Sequence, residues 1–514
     1  MCKICRLFTD ESDFSDTMER KGGGAVGTKG NRPAAWLSAL LLLAGLSLAV
    51  WISAMPSAAA AEALVADGVP VGPPGVAAPS TATDPAAVFS HVVPLGLGTA
   101  EGGTLEQQER MRRYKAAYWI HLAVLACTGT YDPDRSEAWK YLAQYGWQWE
   151  TSRQETKKAL AHYSLARVRA PDGQPLYVAA FRGSAEKRDW QADLTVRQVP
   201  FDRGAAATGG PWDASVPQVH QGFSDYTDAV LQAREVQRFL AAFRADPDAR
   251  LLLTGHSLGG AAATLLGLRL VEAGWPADRI HVITFGAPAV GNRAFAVTYG
   301  SRLDLLRVVN SADPIPGSLQ TVFGGYKQFG AVQKFAIPKT VAGITHGMNL
   351  YLDAAWKHYS EAASEAVQAG LVRELPARRD GTAAPRTALI LRQDTGRGRT
   401  PFFQYLRIFF EREYKNRLPC YVVVDPGADP GRERLPDDTE YILSVTVRAE
   451  AERRGDRWFL ILEQALSDAR TGRLLGLTVT SRRTGPQEGN METAMEALRI
   501  QQQELRRLLP WFPR

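Results

Sequence analysis

Cysteine is scarce in this chain, with four in 514 residues. Cys2 and Cys5 precede the one long apolar segment, which leaves Cys127 and Cys420 after it, too few for a disulfide framework. A single bridge between them is one alternative. Cys127, however, ends the apolar run His121-Leu122-Ala123-Val124-Leu125-Ala126-Cys127, which favours a buried free thiol. Tracts of one charge are also missing: the formal net charge is +6, and the basic residues are interleaved with acidic ones, which argues against a nucleic-acid partner. There is no repeat at solenoid periods. Residues 387–514 show no metal-ligand spacing, and no metal site or cofactor is expected. The Gly-rich stretch from Gly22 to Gly30 lacks the adjacent Gly-Lys-Ser/Thr of a phosphate loop. Residues 36–54 are the only long uncharged apolar run, with Lys21, Lys29 and Arg32 before them and Ser57-Ala58-Ala59-Ala60-Ala61 after. This pattern predicts a cleaved signal peptide or a signal anchor, and either would export the rest of the chain to a periplasmic or secreted location. Met18 is an alternative start, and no cysteine follows the run at a lipid-attachment position.

These features divide the chain into a basic N-terminal segment (1–35), the apolar segment (36–55), an Ala/Pro/Gly linker (56–104), a first folded region (105–369), a second linker (370–386) and a smaller C-terminal region (387–514). Within the first region, strand-like runs at 176–181, 251–254, 280–285 and 303–309 alternate with helical patterns at 226–245, 257–273 and 348–368. That alternation predicts an α/β sheet layered by helices. The C-terminal region reads as α+β. It has strands at 388–391, 421–424, 439–449, 458–466 and 474–481, a hairpin turn at Arg470-Thr471-Gly472, and helices at 401–417 and 490–509.

The most informative stretch is Thr254-Gly255-His256-Ser257-Leu258-Gly259-Gly260, between the apolar run 251–253 and a small-residue helix. It has the form of a nucleophile elbow, in which a sharp strand-to-helix turn lifts a serine above a sheet and glycines at i−2 and i+2 make room for it. The Leu258 amide then lies at a helix N-terminus, where it can face an oxyanion.

With three further motifs, the region 105–369 resembles the fungal-type class 3 lipases, a branch of the α/β-hydrolases. The motifs are Phe181-Arg182-Gly183-Ser184 with Trp190, Val219-His220-Gln221-Gly222-Phe223 with Tyr226, and Thr284-Phe285-Gly286-Ala287-Pro288-Ala289-Val290-Gly291-Asn292. Ala289 stands where the family usually has Arg, at a non-catalytic position. The resemblance implies that Ser257 is the nucleophile, that Ser184 supplies the second oxyanion donor, and that residues 185–218, including Trp190, carry a lid. The alternative for Ser184 is a helix cap. The polar start of that lid predicts only modest interfacial activation.

The triad acid should follow a later strand. Asp313, in Asn310-Ser311-Ala312-Asp313-Pro314, is better placed than Asp304 within a strand or Asp353 on a helix. Chain order leaves His346 and His358 as bases, about 18 Å apart along a helix, so both cannot reach Ser257. His346, at the loop end before the helix and with the family-like Tyr351 after it, is the better candidate. His220 and His256 are read as non-catalytic. Ser257, Asp313 and His346 would then make an exported lipase or phospholipase A1-like ester hydrolase acting at a lipid interface. The C-terminal region loosely resembles accessory domains of bacterial envelope proteins, so the competing expectation is an envelope scaffold that uses this region to bind a protein partner.

Overall fold

The computed structural model describes residues 104–170, 173–183, 197–202, 215–320, 325–336, 345–372, 377, 384–394, 403–425, 435–451, 458–484 and 489–512. The apolar segment 36–54, Ser184, Trp190 and most of the span 185–218 lie outside the described residues. Among the described residues, no helix is long and apolar enough to cross a membrane.

The described chain opens on α1 (Leu105–Gly129), started by a reciprocal cap in which Thr104 Oγ1 accepts from Gln107 N at 3.3 Å and Gln107 Oε1 accepts from Thr104 N at 2.9 Å. Next come α2 (Glu137–Ala143) and the antiparallel strands β1 (Trp149–Glu155), β2 (Leu160–Arg169) and β3 (Pro175–Phe181). The short β4 (Gln198–Pro200) and β5 (Gln218–His220) pair with each other and lead into α3 (Gln221–Gln232) and α4 (Arg234–Ala245). Strands β6 (Arg250–His256), β7 (Ile280–Phe285), β8 (Asp304–Asn310) and β9 (Ala331–Phe335) follow, with α5 (Leu258–Glu272), α6 (Arg293–Tyr299) and the single turn α7 (Ile315–Ser318) between them. The seven strands are ordered β1-β2-β3-β6-β7-β8-β9, and every pair from β3 onward is parallel.

Each residue of β6 is buried, as expected of a parallel strand covered on both faces. Behind it, α5 is buried from Leu258 to Leu268, its Gly and Ala residues letting it lie close to the sheet. The single helix expected over 226–245 is two, because Ala233 adopts an extended conformation (φ −69°, ψ 127°) between α3 and α4. Alanine carries no local signal for such a break. Ala233 is fully buried, so packing imposes the turn, and Gln237 Nε2 donates to the Leu231 carbonyl at 3.0 Å across it.

The long helix α8 (Met348–Gln368) leads to the second sheet, formed by β10 (Arg386–Asp394), β11 (Tyr421–Val424), β12 (Thr439–Ala451), β13 (Trp458–Asp468) and β14 (Leu474–Thr484) in the order β11-β10-β12-β13-β14. Helix α9 (Phe403–Arg417) joins β10 to β11, and α10 (Asn490–Leu508) ends the described chain. In the β13–β14 turn, Asp468 Oδ1 accepts from Arg470 N and Thr471 N at 3.0 and 2.7 Å, and Gly472 takes φ +69°. The inner face of this sheet, with Leu443, Val445 and Leu462, shares one apolar cluster with Leu125 of α1 and Trp356 of α8. The C-terminal strands therefore complete a core that α1 and α8 begin. Cys127 and Cys420 are both buried free thiols. Cys127 Sγ lies 3.1 Å from Thr254 Oγ1, and burial pushes its thiol up to about 12.

Candidate active site

Strand β6 ends at His256, and Ser257 follows with φ 55° and ψ −126°; among the described residues it is the one non-glycine with positive φ. A backbone held there costs about 1–3 kcal/mol and persists only where its surroundings fix it. Two features fix it here. Ser257 N–H donates to the Phe285 carbonyl at 2.9 Å, and α5 begins at the next residue, so turn and helix are set together. The turn also presses against β3: a Cβ on Gly259 would stand 2.1 Å from the Phe181 carbonyl oxygen. Ser257 is partly exposed between buried neighbours, and the Leu258 amide is the first of the α5 amides that have no acceptor within the helix. Gly183 reaches the same place from β3, since a Cβ there would lie 3.1 Å from Ser257 Cβ. Tyr226 steadies that strand end: its hydroxyl donates to the His162 carbonyl at 2.7 Å, with the Arg182 carbonyl 3.2 Å away.

Strand β8 delivers the carboxylate. Its last residue, Asn310, accepts from Asp313 N at 3.0 Å in a tight turn, which leaves the Asp313 side chain fully buried. Asp313 Oδ2 accepts from His346 Nδ1 at 2.7 Å and from Tyr351 Oη at 2.6 Å, while Oδ1 accepts from Ile315 N at 2.9 Å. Because a carboxylate accepts, Nδ1 of His346 carries the proton. Its buried Nε2 has no hydrogen-bond partner among the described residues and is the nitrogen free to take one. Thr345 Oγ1 ties the histidine turn to the acid loop by donating to the Ala312 carbonyl at 2.6 Å. The two parts meet at Phe285-Gly286: Phe285 holds the Ser257 amide, and a Cβ on Gly286 (φ +58°) would lie 2.8 Å from Asp313 Oδ2 and 2.9 Å from His346 Cε1.

A second layer lies behind the histidine. His256 Nε2 donates to the His346 carbonyl at 2.8 Å, so its Nδ1 is the acceptor for Tyr131 Oη at 2.5 Å. Burial, with His346 close by, pushes His256 down to about 3 and keeps it neutral. Burial and the Asp313 charge hold the Tyr351 hydroxyl well above its ordinary value, so it remains a donor. Tyr351 Oη also accepts from Asn310 N at 3.1 Å. Sequence patterns did not point to Tyr131, which lies 125 residues before its partner, and they gave His256 no task.

The other candidates lie apart from this corner. Asp304 pairs with His281 Nδ1 at 2.7 Å, His220 caps α3, and Asp353 caps α10. His358, expected at the helix surface, is half-buried, packs on Phe335, and is pushed by burial down to about 4.

Residues 178–323 match the model of the lipase (class 3) family. Over these residues the chain is similar to the class 3 lipases. The lipase of Rhizomucor miehei is 33% identical over 173 residues, covering 33% of this chain and 45% of that one. A phospholipase A1-II 3 of Oryza sativa subsp. japonica is 34% identical over 186 residues (32% and 43%), and a secreted mono- and diacylglycerol lipase 1 of Fusarium solani is 32% identical over 162 (31% and 44%). The chain thus spans less than half the length of these curated relatives. A solved triacylglyceride lipase of Rhizomucor miehei is 25% identical with a TM-score of 0.34, covering 46% of this chain and 82% of that one. The mostly parallel sheet of this region, with its strand-to-helix serine, has α/β-hydrolase form.

Proposed function

We propose that the protein is an exported serine carboxylic-ester hydrolase that cleaves acyl esters of lipids. The observation that carries this is Ser257, held at positive φ above β6 and joined through Phe285-Gly286 to a buried carboxylate–imidazole pair whose outer nitrogen is free. Ser257 Oγ attacks the ester carbonyl as His346 Nε2 takes its proton. Asp313 fixes the imidazole tautomer and stabilises the imidazolium that forms. The amide of Leu258 and Ser184 hold the oxyanion, each contributing about 3–4 kcal/mol to the transition state. The protonated His346 then gives its proton to the leaving alcohol, and water resolves the acyl-enzyme by the same route in reverse. No cofactor enters this scheme.

The relatives' names span lipase, mono- and diacylglycerol lipase and phospholipase A1, so the substrate class is a lipid acyl ester, with acylglycerol and phospholipid as the two arms to test. Residues 36–54 would serve as the export signal or membrane anchor, and the secreted Fusarium relative agrees with export. Hydrolysis of a chain-length series of nitrophenyl esters, with an acylglycerol and a phospholipid alongside, tests the reading. It predicts turnover by the wild type that Ser257→Ala abolishes; turnover undiminished in Ser257→Ala, or none by the folded wild type, would reject it.

A further inference from the structure

Helix α8 begins two residues after His346 and carries Tyr351 in its first turn, so the Asp313–His346 pair leans on the orientation of that turn. Two residues further along, Asp353 is buried and turned the other way. Its Oδ2 accepts from the backbone and side-chain amides of Asn490 at 3.0 and 2.8 Å, and its Oδ1 accepts from Met491 N at 2.9 Å. Those backbone amides open α10, whose own N-cap residue, Gly489, provides no side-chain cap. One helix therefore caps another, 137 residues later, where a carboxylate also meets the positive end of the helix dipole. The approach is close: a Cβ on Gly489 would stand 3.1 Å from Asn349 Cβ. Helix α10 is fastened a second time by Arg499, whose Nε and Nη2 each donate to the Glu137 carboxylate of α2 at 2.9 Å. Met491, Met495 and Leu498 join the same apolar cluster as Tyr351, Leu352 and Trp356.

From this joint we infer that the C-terminal region acts as a clamp on the active-site corner: α10, through Asp353, sets the first turn of α8 and with it Tyr351 and His346. Asp353 is a positioning residue, and the inference rests on the ester-hydrolase reading for its effect on rate. An imidazole held within a fraction of an ångström of its working place is sensitive to such a support.

The test uses the full chain and the variants Asp353→Asn and Arg499→Ala, the second keeping the cap intact while loosening α10 from α2. Hydrogen exchange of the backbone over residues 345–356 reads the clamp without any need for activity. It should quicken by tenfold or more in Asp353→Asn and by less in Arg499→Ala, and unchanged exchange in both would overturn the clamp. The rate constant and final extent of labelling by a fluorophosphonate read its consequence. The clamp predicts labelling to the same final extent but about tenfold slower in Asp353→Asn, with KM for a soluble ester within twofold of wild type. A fall in final extent at an unchanged rate would mean lost folded protein only and would overturn the inference. A folded wild type that takes no label would reject the hydrolase reading, while the exchange measurement would still decide the clamp. If Asp353→Asn does not fold, Arg499→Ala decides by the same two readouts.

Discussion

Helix α8 separates two buried carboxylates, forty residues apart in sequence, that are built alike and placed for different work. Asp313 and Asp353 each accept three hydrogen bonds. The donors differ. One donor to Asp313 is an imidazole whose other nitrogen has no hydrogen-bond partner among the described residues, so the charge of the carboxylate can be used when that imidazole takes a proton. All donors to Asp353 are amides, which gain and lose no proton in the working pH range, so its carboxyl serves to hold two helices together. Burial pushes Asp353 up to about 6 against the pull of those amides. Burial and the neighbouring Asp353 push Glu492, which faces Ser136 and Glu137, up to about 7.

The sharpest separation comes from making the same change at both acids. Asp313→Asn should lower kcat by about 10⁴-fold, because an amide cannot hold the imidazole tautomer that a carboxylate selects, whereas Asn at 353 should cost only about tenfold. Equal losses measured in steady-state hydrolysis would erase the distinction. Next in size is Gly259→Ala: its Cβ would meet the Phe181 carbonyl, so the variant should lose about 1–3 kcal/mol of stability, read by denaturant unfolding, together with most activity. Tyr351→Phe removes one donor to Asp313 and leaves the buried Asn310 N–H without its acceptor. At about 1–3 kcal/mol for a buried group left unpaired, kcat should fall by about tenfold with KM unchanged.

The smallest effect belongs to the joint. Asp353 and Glu492 both sit above their ordinary values when folded, so the folded chain binds more protons than the unfolded one between about pH 4 and 7. Their contribution to stability is therefore full at about pH 4 and falls as pH rises through 7. Glu492→Gln should raise Tm at pH 8 by about 2 °C or more and change it little at pH 4. A gain that is greater at pH 4 would reverse the sign of the account.

The sequence made one side of α8 far more legible than the other. The elbow could be read because strand, glycine, serine and small-residue helix are consecutive, and Asp313 and His346 because each lies just past a strand or just before a helix. These are local patterns, and the structure brings the last two together. Ser184 and Trp190 lie outside the described residues, so their place rests on the resemblance. The break at Ala233, the support from Tyr131 to His256 and the capping of α10 by Asp353 left no local mark. In each, a residue with an ordinary sequence context is given its task by a partner that only the packed chain brings near. Tyr-Leu-Asp-Ala in a helix reads as a polar surface position until α10 is seated on it.

The most direct test of the whole account is peptide mapping of the adduct after the folded, full-length chain is treated with an active-site fluorophosphonate. The account predicts one modified peptide, labelled on Ser257, with labelling slowed by orders of magnitude in Asp313→Asn. Label on another residue, or an unlabelled folded protein, would contradict it.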